Sequence, residues 1–400
     1  MQSLSSSEKE ICANASSDKS GHWHPCFDKA DDPLNLIVQQ LSPDCLDAET
    51  VQSWEDLVSR NPASGFMQRL SWARFKSKMG QIARIILVKQ NDEIVAGTLV
   101  YAGYDPKKPS IMVAPYGPVL PWQDAQLARA CLRLILEAAE KIAAELNIVS
   151  LRIEPRIEHP VPRLLSEFGA GPCNLVPAET LLLDLTPEPA AILAQMKAKC
   201  RYNISLSQRK GVQVRELQLD ALHDPNEKPP LDILYSMLEE ASDRDDFYLE
   251  PRSFFETLLA ELGNSEDQIL RLFIAEHDGC LLGALLLVTE GQRATYLYGG
   301  ISNLKRNLMP GYALQWKAMT EAKAAGCTSY DFYGFDQFAV PGHAYARFSR
   351  FKRGFGGRAM RFIGAQDYVF MDRLVDNVVM FFKDLPESSC MKNLDNDQDL

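Results

Sequence analysis

The sequence predicts a mixed α/β (α+β) fold in which two similar units follow one another. Its 400 residues, 46% of them hydrophobic, are enough to fill two or three separate cores. Stretches with the alternation typical of strands are interspersed with stretches of helical periodicity. The order of these elements in about residues 34–180 recurs in about residues 181–360, which indicates a tandem repeat.

The first unit combines two early helical stretches with a run of strands and one long amphipathic helix. Asn91 and Asp92 favour a tight turn between its two central strands. In order, the predicted elements are a strand at 34–41, helical stretches through Trp54 and at 68–80, strands at 82–90 and 94–103, a loop at 113–122, a helix at about 125–146 and a strand at 147–155.

The second unit repeats this order after an additional strand and helix. Thr186 and Pro187 resemble an N-cap followed by the residue favoured at the first helical position, so we predict a helix from Pro187. The predicted elements are a strand at 180–186, that helix, a strand at 212–217, a helix at 231–242, a strand pair at 271–279 and 280–291, a strand at 295–300, a helix from Pro310 and a strand at 329–335.

Charge and cysteine content narrow the classes of function. A net charge of −11 argues against a general nucleic-acid coat, which needs an overall basic surface. Nine cysteines, an odd number without a C-x-x-C pair, fit reduced thiols better than a disulfide framework or a zinc site. Because no apolar run reaches the ~18 residues of a membrane span and no signal-peptide core is present, we expect a soluble, cytoplasmic protein.

The two ends of the chain are predicted to be disordered. Residues 1–33 are rich in Ser, Lys, Asp and Glu, and residues 388–400 form an acidic tail. The pattern His22-x-His24-x-Cys26 lies in the first tail and could bind a metal, although short polar tails collect such residues by chance. We expect neither a metal nor a cofactor.

The turn before the helix at Pro310 has the plan of an anion site. A strand, YLYGG, leads into a polar turn, and the free N–H groups at the start of the helix point towards whatever lies there. The turn resembles the pyrophosphate loop of GCN5-related acetyltransferases, Gln/Arg-x-x-Gly-x-Gly/Ala, through Gly311-Tyr312-Ala313. Leu308 stands at the leading Gln/Arg position, which makes coenzyme A a doubtful ligand.

A first basic block runs from Lys197 to Arg215 and contains no acidic residue. The apolar residues before and within it recur every four positions and are predicted to face the core: Ile192, Met196, Cys200 and Ile204. Lys197, Arg201 and Gln208 are left on another side of the helix. Either this side is a solvated face, or its cations bind phosphate.

A second basic block, RFSRFKRGFGGRAMR, extends from Arg347 to Arg361, again without an acid. Its phenylalanines alternate with cations, a mixture suited to phosphates together with sugar or base faces. Gly354 and Gly356-Gly357 permit turns that bring backbone N–H groups close to a ligand. An edge strand guarded by Lys and Arg is the alternative interpretation. The two blocks together predict phosphorylated ligands.

Segments distributed along the chain resemble the FemABX family, the aminoacyl-tRNA-dependent peptidyltransferases that build the interpeptide bridge or side chain of peptidoglycan. They occur in family order between about Phe66 and Gly357: FMQRLSWARFK, APYGPVL, MKAKCRYNISLSQRKGV, YLYGGISNLKRNLMPGYALQW, YDFYGF and FKRGFGG. The resemblance implies two tandem acetyltransferase-like domains, 34–180 and 181–360, with about 361–387 returning to the first domain. In having no long coiled-coil arm, the chain resembles the shorter family members, which add a single amino-acid residue.

The resemblance also implies ligands and site residues. The donor would be an aminoacyl-tRNA, and the acceptor would be UDP-MurNAc-pentapeptide or lipid II. Lys76 and Arg252 match cations that contact the precursor phosphates, while Phe351 and Lys352 match the catalytic pair whose lysine stabilises the oxyanion. Further candidates for substrate binding lie in the matching segments: Arg201, Asn203, Tyr298, Gly299, Gly311 and Tyr333. A monomer with possible peripheral membrane contact is expected.

The expected chemistry is direct attack of the acceptor amine on the activated ester. No Ser/His/Asp or Cys/His spacing suggests a covalent nucleophile. Tyr116 and Pro121 stand in the Gly-Pro-Val loop where some family members have Arg and Asp, so a catalytic aspartate is not expected there. Two alternatives remain: an acyl-CoA-dependent N-acyltransferase of a small amine or polysaccharide precursor, and a non-catalytic protein that binds sugar nucleotide or tRNA.

Overall fold

The computed structural model describes residues 24–25, 34–105, 108–219, 228–263, 270–338 and 345–371. Of the two predicted tails, only the backbone of His24 and Pro25 falls within these ranges. The metal-binding hypothesis for His22, His24 and Cys26 therefore concerns side chains outside the described residues, and so does the predicted acidic tail at 388–400.

Nine helices occur in the described ranges. They are α1 (Ala48–Arg60), α2 (Leu70–Lys78), α3 (Ala125–Leu146), α4 (Pro189–Gln195), α5 (Ala198–Arg209), α6 (Pro230–Asp245), α7 (Arg252–Leu262), α8 (Pro310–Ala324) and α9 (Ala346–Lys352). Among them, no helix is both long and apolar enough to cross a membrane.

The strands form two sheets. They are β1 (His24–Pro25), β2 (Leu36–Leu41), β3 (Ile82–Gln90), β4 (Glu93–Ala102), β5 (Ser110–Pro115), β6 (Ile148–Glu154), β7 (Gly169–Ala170), β8 (Glu179–Asp184), β9 (Gln213–Leu217), β10 (Leu270–His277), β11 (Cys280–Glu290), β12 (Arg293–Ile301), β13 (Ser329–Gly334), β14 (Arg358–Arg361) and β15 (Gln366–Val369). Within the described residues, the first sheet has the order β1-β2-β3-β4-β5-β6-β15-β7 and the second the order β14-β8-β13-β12-β11-β10-β9.

The two sheets are built on the same plan. The order β2-α1-α2-β3-β4-β5-α3-β6 recurs as β9-α6-α7-β10-β11-β12-α8-β13. Each copy contains one parallel pair, β5 with β6 and β12 with β13, among antiparallel neighbours. The antiparallel strand beside that pair is β8 in the second sheet, whereas in the first sheet it is β15, from the end of the described chain. This repeat confirms the predicted mixed α/β tandem architecture.

Three apolar clusters hold these layers together. One packs α3 on the first sheet, and another packs α4, α5 and α8 on the second. The third is shared, because Trp54, Phe66 and Phe75 of the first unit lie in one cluster with Phe255 and Ile274 of the second. Since apolar burial is the main favourable term in folding, the shared cluster ties the two units to each other.

Two local predictions were wrong. The helix expected from Pro187 begins at Pro189, because the N–H and hydroxyl of Thr186 both donate to the Asp184 carboxylate and form a turn there instead of a cap. It ends at Gln195, and α5 starts anew at Ala198. The segment 113–122 was predicted to be a loop, but β5 continues to Pro115 because Met112 and Ala114 fill the core.

Candidate functional site

The site lies where the parallel strands β12 and β13 stop pairing. Their register covers Arg293–Thr295 with Ser329–Asp331, although both strands continue beyond it. Tyr333 adopts a left-handed backbone, with φ of 56°, and redirects β13. The equivalent pair of the first unit stays joined from Ser110 to Pro115. Backbone groups at the far end of β12 and β13 are therefore open to partners other than each other.

Lys352 is the hydrogen-bond partner of backbone groups at this end of β13. Its side chain is 7% exposed, and its Nζ donates to the carbonyl oxygens of Phe332 at 2.8 Å and Gly334 at 2.6 Å. The same atom lies 5.5 Å from the ring centroid of Tyr296. A lysine ammonium has three N–H donors. Two hold the group against β13, and the third has no hydrogen-bond acceptor among the described residues.

Burial lowers the pKa of Lys352 to about 7, although the negative charge of Asp331 acts in the opposite direction. Both protonation states are therefore accessible close to neutral pH. A lysine of this kind can act as a cation towards a developing oxyanion or take part in proton transfer.

Phe351 connects this lysine with the start of α8. Its ring lies edge-on to Tyr312 and Phe355, with centroids 5.0 Å and 5.2 Å away. A Cβ built on Gly311 would lie 3.7 Å from the Phe351 ring. The turn before α8 contains two left-handed residues, Lys305 and Met309, and buries Leu308. The catalytic candidates and the anion-site candidate thus adjoin each other.

Lys76 and Tyr298 form a second group, which crosses between the two units. The Lys76 Nζ lies 5.4 Å from the ring centroids of both Trp72 and Phe75. Burial lowers its pKa, and Glu250 opposes that shift. Glu250 also contributes, after burial, to the raised pKa of Tyr298. Burial raises the pKa of Tyr333, and the hydroxyl of Tyr298 adds to that shift, which joins this group to the open end of β13.

Arg252 is paired with an acid of its own unit. It is the first residue of α7, and its guanidinium donates to the carboxylate of Asp232 on α6. The same guanidinium lies 5.8 Å from the Tyr235 ring. A phosphate at Arg252 would therefore have to compete with Asp232.

The remaining candidates divide between the open strand end and the surface of the second unit. A Cβ on Gly299 would lie 2.6 Å from the Tyr296 hydroxyl, so β12 requires glycine at this position. The guanidinium of Arg201 is turned back towards the carbonyl oxygens of Ala194 and Met196, and Asn203 is buried. These two residues belong to α5 rather than to the β12–β13 opening.

Comparison with known proteins identifies the architecture. Residues 198–353 match the acetyltransferase (GNAT) domain family. The lipid II:glycine glycyltransferase of Staphylococcus saprophyticus is 24% identical over 396 residues, covering 82% of this chain and 94% of that protein. The UDP-N-acetylmuramoylpentapeptide-lysine N(6)-alanyltransferase of Weissella viridescens is 24% identical over 339 residues, covering 81% and 94%.

Solved structures show the same fold. A crystal structure of FemX superposes with a TM-score of 0.72 at 20% identity, covering 82% of this chain and 98% of that one. A tandem GNAT protein from the clavulanic acid biosynthesis pathway reaches 0.50 at 13% identity, covering 83% and 98%. These comparisons support the resemblance to the FemABX family. The predicted enzyme class, a transferase, is confirmed by the named relatives and by the matched acetyltransferase domain.

One structural pair of this protein was not anticipated from the sequence. Asp331 of β13 is fully buried, and its Oδ2 lies 2.6 Å from the Arg156 guanidinium, which follows β6 of the first unit. Thr180 and the Tyr333 N–H also donate to this carboxylate. Burial opposes its ionisation, but Arg156 and these hydrogen bonds hold the pKa of Asp331 below its usual value. An acid within an otherwise apolar strand, SYDFYG, was the available signal.

Proposed function

We propose that this protein transfers one amino acid from an aminoacyl-tRNA to the amine of a peptidoglycan-precursor stem peptide, carried by UDP-MurNAc-pentapeptide or lipid II. The activities of the two relatives, a glycyltransferase and an alanyltransferase, support this class of reaction. The single observation that carries the proposal is the Lys352 ammonium at the open end of β12 and β13, with one donor left for a ligand. The proposed reaction takes place in the cytoplasm, with the protein as a monomer.

In the proposed mechanism, the ester carbonyl of the charged tRNA lies against the free donor of Lys352. The acceptor amine attacks the carbonyl carbon and forms the C–N bond, while the oxyanion accepts a hydrogen bond from the ammonium. Collapse of this intermediate breaks the C–O bond, and the ribose oxygen leaves with the proton given up by the amine. Such a donor contributes about 2.7–4 kcal/mol of transition-state stabilisation, and correct placement of the reactants about 7–11 kcal/mol.

Lys76 is the proposed contact for the precursor phosphates. It reaches the same region as Tyr298, and its partly buried ammonium lies beside aromatic rings. A phosphate would favour the charged form of this lysine and reverse the effect of burial on its pKa. Arg252 is proposed as a weaker contact because Asp232 already accepts its hydrogen bond.

Mass spectrometry tests the proposal. UDP-MurNAc-pentapeptide is incubated with the protein and a complete mixture of charged tRNAs, and the same reaction is run with uncharged tRNA. The expected result is a mass increase of one amino-acid residue in the first reaction alone, since only an ester donor is activated. An unchanged mass for both UDP-MurNAc-pentapeptide and lipid II would contradict the proposed function.

An acyl-CoA-dependent N-acyltransferase is the second candidate. The match of residues 198–353 to the acetyltransferase (GNAT) domain favours it, as does the turn before α8. Leu308 is 8% exposed, however, and offers no polar group to a pyrophosphate. Saturable binding of acetyl-CoA, measured by calorimetry, would favour this candidate, whereas binding of charged tRNA without coenzyme A would favour the first.

A further inference from the structure

The exposed face of α5 carries cations that no acid of the described residues pairs with. Lys199, Arg209 and Lys210 are exposed, as is Lys197 at the N-cap. None of these four forms an ion pair within the part of the chain that the structure describes. The helix itself, AKCRYNISLSQR, contains no Asp or Glu. On a chain with a net charge of −11, such a face is a local positive region that attracts polyanions.

The neighbouring cations are different because they are paired. Arg215 of β9 lies 2.9 Å from Glu276, and Arg271 of β10 makes two hydrogen bonds to Glu216. The surplus of positive charge therefore ends with α5 and does not extend over the adjacent edge of the sheet.

An aromatic ring lies among these cations. Tyr202 is 57% exposed, and the Arg209 guanidinium is 5.8 Å from its ring centroid. Tyr202 is also the only large hydrophobic side chain that α5 exposes. An exposed ring beside phosphate-binding cations suits the stacking of an unpaired base. Insertion into a membrane would need several apolar side chains on the same face.

The basic face leads to the reaction centre at both ends of the helix. At the first end, the N–H of Lys197 donates to the carbonyl of Gly354 at 2.9 Å, two residues after Lys352. At the other end, Gly211 lies close to His277, whose Nδ1 is 3.1 Å from the Nζ of Lys305 in the turn before α8. Twelve residues of helix span about 18 Å. The face therefore connects the turn after Lys352 with the turn before α8.

We infer that the exposed face of α5 binds the RNA of the donor near its acceptor end, with phosphates at Lys199, Arg209 and Lys210 and an unpaired base on Tyr202. This inference rests on the proposed function for the identity of the donor. It adds the surface that holds the RNA while the ester reaches Lys352.

A charge-matched pair of variants tests the surface. Lys199→Gln/Arg209→Gln removes two cations from α5, and Arg129→Gln/Lys141→Gln removes one arginine and one lysine from the exposed side of α3. Binding of uncharged bulk tRNA is measured by fluorescence anisotropy between about 50 and 200 mM salt, the range over which phosphate contacts weaken binding strongly. The α5 variant is expected to bind at least tenfold more weakly and to lose about 1.5 from the slope of log K against log salt.

Kinetics and a stacking variant complete the test. The KM for charged tRNA should rise at least tenfold in the α5 variant, while kcat and the KM for the precursor stay unchanged. Tyr202→Ser should weaken tRNA binding at least fivefold and Tyr202→Phe should not, because the phenyl ring still stacks. The α3 control should match the wild-type protein in each measurement.

The outcomes separate this inference from the proposed function. Equal tRNA affinity in the α5 variant and the α3 control would overturn the inference, even if the wild-type protein transfers an amino acid. Loss of binding to phosphatidylglycerol vesicles with unchanged tRNA binding would also overturn it and assign the face to a membrane. Selective loss of tRNA binding supports the surface, because that measurement does not depend on transfer.

Discussion

Lys352 shows how one side chain combines a structural and a chemical role. Its ammonium donates to two carbonyl groups of β13 that lie beyond the register with β12, and this contact holds the cation in a fixed place. Because burial lowers its pKa to about 7, the unfolded chain binds more protons than the folded chain between about pH 7 and the usual lysine pKa of 10.5. The free energy of unfolding should therefore rise with pH across that window.

Replacement of Lys352 should lower the rate of reaction without preventing substrate binding. A cation that meets the oxyanion only in the transition state contributes to kcat and little to the ground state. We expect Lys352→Ala to reduce kcat by about 10²–10³-fold, the scale of one lost oxyanion donor. Lys352→Arg should recover little of the lost kcat, because a planar guanidinium does not replace a compact ammonium. Single-turnover kinetics with both substrates saturating gives the measurement.

The pH profile provides the control for this variant. The protonated form of Lys352 is lost as pH rises through about 7, so kcat of the wild-type protein should fall on the alkaline side. Lys352→Ala should lack this alkaline decrease, and its melting temperature shows whether the fold is kept. An unchanged kcat with a raised KM for tRNA would instead make Lys352 a phosphate contact.

Lys76 and Arg252 are predicted to contribute unequally to precursor binding. Lys76→Ala should raise the KM for UDP-MurNAc-pentapeptide about tenfold, because a partly buried cation is screened little by solvent. Arg252→Ala should change it less, since Asp232 already pairs with this exposed arginine. Initial rates at two salt concentrations check both values. Equally small changes in KM for the two variants would show that Lys76 is an ordinary surface lysine without a role in precursor binding.

At the scale of elements, the second unit differs from the first in how its parallel strands end. The pair β5–β6 is joined along its length, whereas β12 and β13 pair over three residues each. The far part of β12 is instead covered by α6, which approaches Gly300 closely. The opening therefore depends on a helix packed against strand backbone, with glycine at the contact.

Gly300→Ala should destabilise this packing. A Cβ at this position would lie 2.0 Å from the carbonyl oxygen of Met237, so the backbone of α6 would have to move. Overpacking of this kind costs about 1–3 kcal/mol. Gly103→Ala is the control, because a Cβ there has no atom of the other described residues within 4 Å. Denaturant titration of both variants gives the free energies of unfolding, and equal values would contradict the role assigned to Gly300.

At the scale of the whole molecule, the two units share both an apolar cluster and a buried ion pair. The shared cluster contains Trp54 and Phe75 of the first unit and Phe255 of the second. Arg156 crosses the same boundary to Asp331, with its guanidinium 5.2 Å from the Tyr116 ring and 4.8 Å from the Phe362 ring. Since Asp331 also holds the Tyr333 N–H, the junction of the two units positions the open end of β13.

Removal of one partner from this ion pair should be costly. Arg156→Met leaves the Asp331 carboxylate buried without its cation, and such a change typically costs about 3–5 kcal/mol. The double variant Arg156→Met/Asp331→Asn should lose less unfolding free energy than the two single variants lose in sum, because no unpaired charge of this pair remains. Thermal unfolding of the three variants measures this coupling. Additive effects would show that the two residues act independently.

The sequence determined the elements and their order because each of them buries a periodic apolar face. The long helix at 125–146 and the strand at 82–90 were predicted within a residue, since their patterns are local. The acid-free block on α5 was also visible, and its four predicted core residues are buried despite the break after Gln195. The helix α7 was not predicted, because only Arg252 was considered in that segment.

Tertiary structure alone decided which distant groups meet. Arg156 and Asp331 are 175 positions apart, and no periodicity within either segment reveals that they pair. The two acceptors of Lys352 are main-chain carbonyls, which every residue has, so the sequence around Lys352 cannot name them. In the sequence, Arg252 and Arg215 have the character of cations free to bind phosphate. In the fold, Asp232 pairs with Arg252 and Glu276 pairs with Arg215. Local pattern specifies an element because it depends on neighbouring residues, whereas the charge and pKa of a site depend on contacts between elements that only the folded chain creates.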